Sequence, residues 1–365
     1  MAVTHAVTAA TRSRAVSERL LFVATMVGFV IWDLGGHIDV WYHQHFGFMI
    51  ESFLTLPHAL LYVGWIASAA PAAAYLFESR ASGLPRSAWL PPGYALVVAG
   101  AAAFGVGGGF DLWWHSTFGF EVNQEALISP SHLALICSAG LGYFGLVWVA
   151  IDRRRRERSR GFATDLAVAV SLGMLFRHSL YALFYSQPFA TDYASGGSVG
   201  GSLFGFAGIT AWHSMAADVA GSTGIVLYAI LLSLFVVVPL RRLRLATGAV
   251  TVIVLWNEAF NLIGIPEMWL YLPAVIVSAI VAEGVWSAMG RGALGGRDAR
   301  AGYWAIGAAL PATLFIGYFA LMWTIGGGIT WTTPMWAGAP LWAGIYGLLA
   351  SVFAIPPRFI RADDA

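Results

Sequence analysis

Charge is scarce in this sequence: Asp, Glu, Lys and Arg supply 11% of its 365 residues, against about 25% in a soluble domain. Lysine is absent, so all 20 basic residues are arginine. The single cysteine, Cys137, excludes an intrachain disulfide, a thiolate cluster and a CxxCH haem attachment. It is expected within a span, as a small buried apolar residue. Phosphate-cradling glycine motifs and a Gly-x-Ser-x-Gly elbow are also missing, which leaves nicotinamide, ATP and serine-hydrolase chemistry without support. No basic, aromatic-interleaved patch is present to hold nucleic acid.

What the chain has instead is apolar length. Hydrophobic residues make up 58% of it, with a mean hydropathy of +0.71. They fall in runs of roughly 18 to 25, enough to cross the hydrocarbon core as helices. Runs of that length do not fit barrel strands, so the expected fold is an all-α, polytopic integral membrane bundle. Ten spans are predicted, at about 20–36, 54–77, 92–110, 127–150, 162–186, 219–240, 246–264, 269–289, 302–324 and 336–356. The polar start, with Arg12, Arg14 and Arg19, reads as a cytoplasmic tail before an uncleaved first span.

Arginine gives the orientation. With ten spans, 19 of the 20 arginines fall at the two termini or in alternate loops, and Arg177 is the exception. The positive-inside rule assigns those loops and both termini to the cytoplasm, in a multi-pass plasma-membrane protein. Eight of the nine histidines, all but His5, then fall toward the other face. So do Asp33, Asp39, Glu51, Asp111, Glu121, Glu125, Asp192, Asp218, Glu258 and Glu267. Trp32, Trp41, Trp113, Trp114, Trp331 and Trp336 are expected in an interfacial belt there. The Gly- and Ser-rich stretch 187–218 reads as an outer loop with a re-entrant or interfacial segment at 203–209.

An internal repeat carries the chemistry. Residues 39–58 read DVWYHQHFGFMIESFLTLPH and residues 111–132 read DLWWHSTFGFEVNQEALISPSH. Asp39, His43, Glu51 and His58 correspond to Asp111, His115, Glu125 and His132. The chain is accordingly one membrane domain over 1–365, with repeat units at 20–77 and 92–150 and a remaining six-helix region at 162–356. If Asp-x3-His is helical, its two side chains share a face one turn apart. Glu51 and His58, like Glu125 and His132, are seven apart, two turns along one face. The Phe-Gly-Phe step would let the chain fold back, so each module could gather Asp, His, Glu and His at one point. Imidazole with carboxylate suits zinc or copper, with iron the third candidate. The plain alternative is a duplicated helix pair whose polar residues hold helix ends.

Asp39-x3-His43 with Thr55-Leu56-Pro57-His58, and Asp111-x3-His115 with Ser129-Pro130-Ser131-His132, resemble the membrane metal motif in the C subunit of particulate methane and ammonia monooxygenases. That motif is an Asp, a His four residues on and a later His at the start of a span. The resemblance covers some twenty residues per copy, and here the motif occurs twice with different intervals. It implies that Asp39, His43 and His58 form one copper or zinc ligand set, and Asp111, His115 and His132 the other.

Further polar residues fall inside the spans: Arg177 and His178 in the fifth, His213 and Asp218 around the start of the sixth, and Asn257, Glu258 and Asn261 in the seventh. Glu267 stands near the start of the eighth and Glu283 near its cytoplasmic end. Arg177 should seek an acidic partner, which Asp218, Glu258 or an outer-loop acid could supply.

Three functions fit these features. The first is a metalloenzyme with an outward-facing site, an oxidoreductase by the resemblance, in which Glu51 and Glu125 accept protons and an external reductant or partner subunit supplies electrons to turn over a small molecule. The second is a transporter or channel with an external polar vestibule. The third is a non-catalytic membrane scaffold.

Overall fold

The computed structural model describes residues 2–46, 55–119, 128–157, 161–191, 193–195, 215–264, 266–290 and 299–356. They form ten α-helices: α1 (Ala2–Phe46), α2 (Leu56–Ala81), α3 (Tyr94–Phe118), α4 (Pro130–Arg156), α5 (Phe162–Ser179), α6 (Met215–Leu243), α7 (Ala249–Gly264), α8 (Leu272–Gly290), α9 (Arg300–Thr324) and α10 (Thr333–Ala354). Nine helices among the described residues are long and apolar enough to cross a membrane, and only α7 falls short. Its 16 residues reach about 24 Å at 1.5 Å per residue, under the roughly 30 Å hydrocarbon thickness. The chain divides into two compact units, Met1–Ser159 and Arg160–Ala365.

In the first unit α1 pairs with α2 and α3 with α4, each pair antiparallel. Small residues permit the approach: a Cβ at Gly28 would strike the backbone of Ala67 and Ser68, and one at Gly64 would strike Trp32. The same holds for Gly100 against Gly142. Lipid gives helices no hydrophobic reason to associate, so close backbone contact supplies the attraction. Between the pairs, Trp65 Nε1 donates to Ala101 O at 2.8 Å, and Tyr143 OH donates to Asp33 Oδ1 at 3.2 Å. Arg156 reaches Glu18 at 3.0 Å and Arg153 lies over Phe22, so arginines gather at one end of this unit. Asp39, Asp111 and the starts of α2 and α4 lie at the other.

Trp32 is 4% exposed and packs on Phe29, Phe104 and Tyr143; it belongs to the core rather than to an interfacial belt. Cys137 lies in α4 as expected, but on its exposed side. Hydropathy registers membership of a span and not which face of the helix packs.

The second unit holds α5–α10 around an aromatic core of Phe189, Tyr228, Tyr271, Phe315 and Tyr318. Phe189 follows α5 within the stretch expected as outer loop, yet it is 1% exposed. Tyr318 OH donates to the carbonyl of Pro188 beside it. Gln187–Ala190 of that stretch are buried, and 203–209 lies outside the described residues. After α9 the chain turns through Gly327 and Gly328, at φ 86° and 110°, a conformation open to glycine without strain.

Candidate metal centre

Asp111 and His115 stand one turn apart near the end of α3, which stops at Gly119 with φ 83°. Any other residue at Gly119 would strain that reversal. Ser129 caps α4, accepting from the His132 backbone N–H at 3.4 Å, and so sets His132 on the first turn. The chain reversal brings one ligand atom each from Asp111, His115 and His132 within 4.8 Å of one another. His115 Nε2 lies 3.3 Å and His132 Nε2 3.6 Å from Asp111 Oδ1.

The proton positions follow from the outer partners. His115 Nδ1 is 3.2 Å from Gly119 O, and a carbonyl can only accept, so Nδ1 carries the proton. In neutral imidazole the lone pair is then on Nε2, which faces a carboxylate oxygen. His132 Nδ1 meets Ser129 Oγ at 2.9 Å, a partner able to fix its orientation in the same way. Asp111 Oδ1 is buried and receives no hydrogen bond from any described residue. Two ring nitrogens converge on an acceptor that takes no hydrogen bond from a described residue, an arrangement that costs free energy unless a proton or a metal cation lies among them. A tetrahedral ion with ligand bonds of about 2.0–2.1 Å sets ligand atoms about 3.3 Å apart. The two oxygen–nitrogen separations are close to that edge, and the carboxylate–imidazole donor set is one that can coordinate a transition-metal ion.

The first hairpin repeats the pattern. Thr55 caps α2 and accepts from His58 N. Thr55 Oγ1 lies 3.1 Å from His58 Nδ1, and His58 Nε2 is 3.3 Å from Asp39 Oδ1. His43 falls on helix α1, but its side chain lies outside the described residues, as do Glu51 and Glu125. The cap hydroxyls went unassigned in the sequence, although Thr55 and Ser129 both precede their histidine by three, the cap-to-N3 interval.

The expectation of an outward-facing, extracytoplasmic site is corrected here. The side chains of Asp111 and His115 are 10% and 7% exposed and that of His132 27%, so the cluster is buried. Hydropathy ended the third span at 110 and treated what followed as loop. The helix runs on to Phe118, carrying Asp111 and His115 against the start of α4. α1 likewise continues past 36 to Phe46. Tyr62, which carried no signal in the sequence, stacks on His58 and is within Coulombic reach of both Asp39 and Asp111.

Other predicted polar residues assemble in the second unit. Glu258 Oε1 accepts from Tyr228 OH at 2.6 Å and from Asn257 Nδ2 at 2.7 Å. Asn257 Nδ2 also donates to Tyr228 OH at 3.1 Å. Arg177 donates to Tyr181 OH and lies over its ring. Glu283 accepts from the Thr251 backbone N–H. Asp218 lies in the first turn of α6, while His213 and the side chains of Asn261 and Glu267 lie outside the described residues.

Comparison of this chain with protein-family models, with curated proteins and with solved structures gave no match.

Proposed function

We propose that this protein is a membrane-embedded metalloprotein whose first four helices hold zinc or copper in two sites, the one in the second hairpin buried. Asp111, His115 and His132 would hold one ion, and Asp39, His43 and His58 the other, through duplication of one helix hairpin. The observation that carries the reading is the buried Asp111 Oδ1, approached by two imidazole nitrogens and hydrogen-bonded by no described residue. Three protein donors leave a coordination position over, as catalytic sites do and closed structural sites do not. When bound, such an ion supplies Lewis acidity or, if copper, one-electron chemistry at that position.

An oxidoreductase fed by an external reductant rests on the resemblance to the monooxygenase C subunit, and in it Glu51 and Glu125 accept protons. The residues' own part is to orient the imidazoles through Ser129, Thr55 and the Gly119 carbonyl, and to keep water from Asp111. The positive-inside rule puts the arginine-bearing helix ends in the cytoplasm, and both termini with them if α7 completes a tenth crossing.

Elemental analysis of protein purified without chelators tests the metal reading. Two equivalents of zinc or copper per chain are expected, falling to one in Asp111→Ala. Protein without transition metal, or an Asp111→Ala variant that keeps its full complement, removes the basis for it.

A further inference from the structure

The connection from α2 to α3 is short and held by its own hydrogen bonds. Gly83 reverses the chain at φ 70°, with its N–H donating to Arg80 O at 3.1 Å and that of Leu84 to Ser79 O at 3.2 Å. A single 3-10 turn, Arg86–Ala88, follows. The Trp89 indole N–H donates back to Leu84 O at 2.8 Å, which fixes the plane of the ring. Arg80, from the last turn of α2, and Arg86, from the 3-10 turn, both lie over that ring. Each guanidinium carbon is 5.8 Å from its centre.

These two cations lack what neighbouring arginines of the unit have. Arg153 pairs with Glu157 at 2.8 Å, and Arg156 pairs with Asp152 at 2.7 Å and Glu18 at 3.0 Å. Arg80 and Arg86 are exposed, and neither side chain meets a carboxylate among the described residues. Glu78, two residues before Arg80, points to another side of the helix. Stacking uses the face of a guanidinium and leaves its N–H edge free to hold an oxyanion in a fork. Two like charges around one indole repel each other, so an anion is favoured beside them. Beyond Arg80 the surface of α2 is apolar. Val63, Ile66, Ala70, Ala74 and Phe77 are exposed at intervals of three and four, which is one face of a helix, and Arg80 follows three residues on at its edge. From Ala70 to Arg80 the stripe is about 15 Å long at 1.5 Å per residue, about half the hydrocarbon thickness.

We infer that Arg80, Arg86 and Trp89 form a headgroup site for an anionic phospholipid. Its phosphodiester oxygens accept from the guanidinium N–H groups, and an acyl chain lies along the exposed face of α2. Charge selects among lipids: a zwitterionic headgroup brings a third cation to a place that already holds two, whereas a phosphatidylglycerol-type headgroup brings net negative charge. The stripe selects a lipid over a soluble anion, which has nothing to lay on it. The site lies at the other end of α2 from His58 and is independent of the metal reading.

Native mass spectrometry of the full chain in detergent tests it with three probes: dioleoyl phosphatidylglycerol, dioleoyl phosphatidylcholine and glycerol 3-phosphate. Phosphatidylglycerol is expected to bind at least about tenfold more tightly than either of the others. Arg80→Gln or Arg86→Gln should weaken it about fivefold, and the two together about 30-fold, the contribution of one and of two arginines at a membrane surface. Binding of phosphatidylcholine should change little. Arg241→Gln with Arg242→Gln removes the same charge from the end of α6 and should leave the preference intact. The single variants decide the matter if the Arg80 and Arg86 double variant cannot be purified. Equal affinity for the two lipids, glycerol 3-phosphate binding as tightly as phosphatidylglycerol, unchanged binding in the Arg80 and Arg86 variants, or an equal loss in the Arg241 and Arg242 pair overturns the assignment.

Discussion

The two units bury polar side chains in different ways. In the second, Tyr228, Asn257 and Glu258 are each at most 2% exposed and bond to one another, donor to acceptor, at 2.6–3.1 Å. In the first, Asp111, His115 and His132 come together at 3.3 and 3.6 Å, yet Asp111 Oδ1 takes no hydrogen bond from a described residue. Burial of polar groups is costly in both places. In the second unit the group is held by protons its own members carry, although Asn257 Oδ1 takes no hydrogen bond from a described residue; in the first, no described residue donates to the Asp111 oxygen that both imidazoles approach. Convergence of residue types is thus a weak guide to a metal site, and the direction in which donors and acceptors point is a stronger one.

Four substitutions would break or sharpen that contrast. Asp111→Ala should have the largest effect, eliminating one equivalent of metal and the thermal stabilisation that metal confers, both read on purified protein. Glu258→Ala should leave the metal count untouched while lowering stability by about 3 kcal/mol, since it strands two buried donors; a loss of metal there would erase the distinction between the units. Ser129→Ala should lower metal affinity about 10- to 100-fold in a chelator competition, the usual cost of removing an orienting partner, while the apo protein loses only the roughly 1 kcal/mol of a helix cap. The smallest effect is expected from Tyr228→Phe, about 1 kcal/mol of stability with metal affinity unchanged.

The sequence showed the helical spans through hydropathy and the ligand candidates through their repeated spacing, because both depend on residue type and interval alone. Orientation around the helix axis was not legible. Trp32, expected at a boundary, lies in the core against Tyr143, and Cys137 turns outward. Helix ends were also obscured, since Asp39 and Asp111 are polar residues that continue a helix rather than end it. That error turned a buried cluster into an outward-facing one. Thr55 and Ser129 were visible as hydroxyls before histidines, but their second contact, to Nδ1, needs the folded turn.

The candidate ligands in the second hairpin are divided between α3, which carries Asp111 and His115, and α4, which carries His132. An ion shared by them would pin two separate rods together at their junction, a cross-link in a chain whose one thiol can make none. Since the folded hairpin presents the donors together and the unfolded chain does not, occupancy would stabilise the fold in proportion to the logarithm of free metal. Metal supply would then govern how much of this protein persists in the membrane, apart from any reaction it performs.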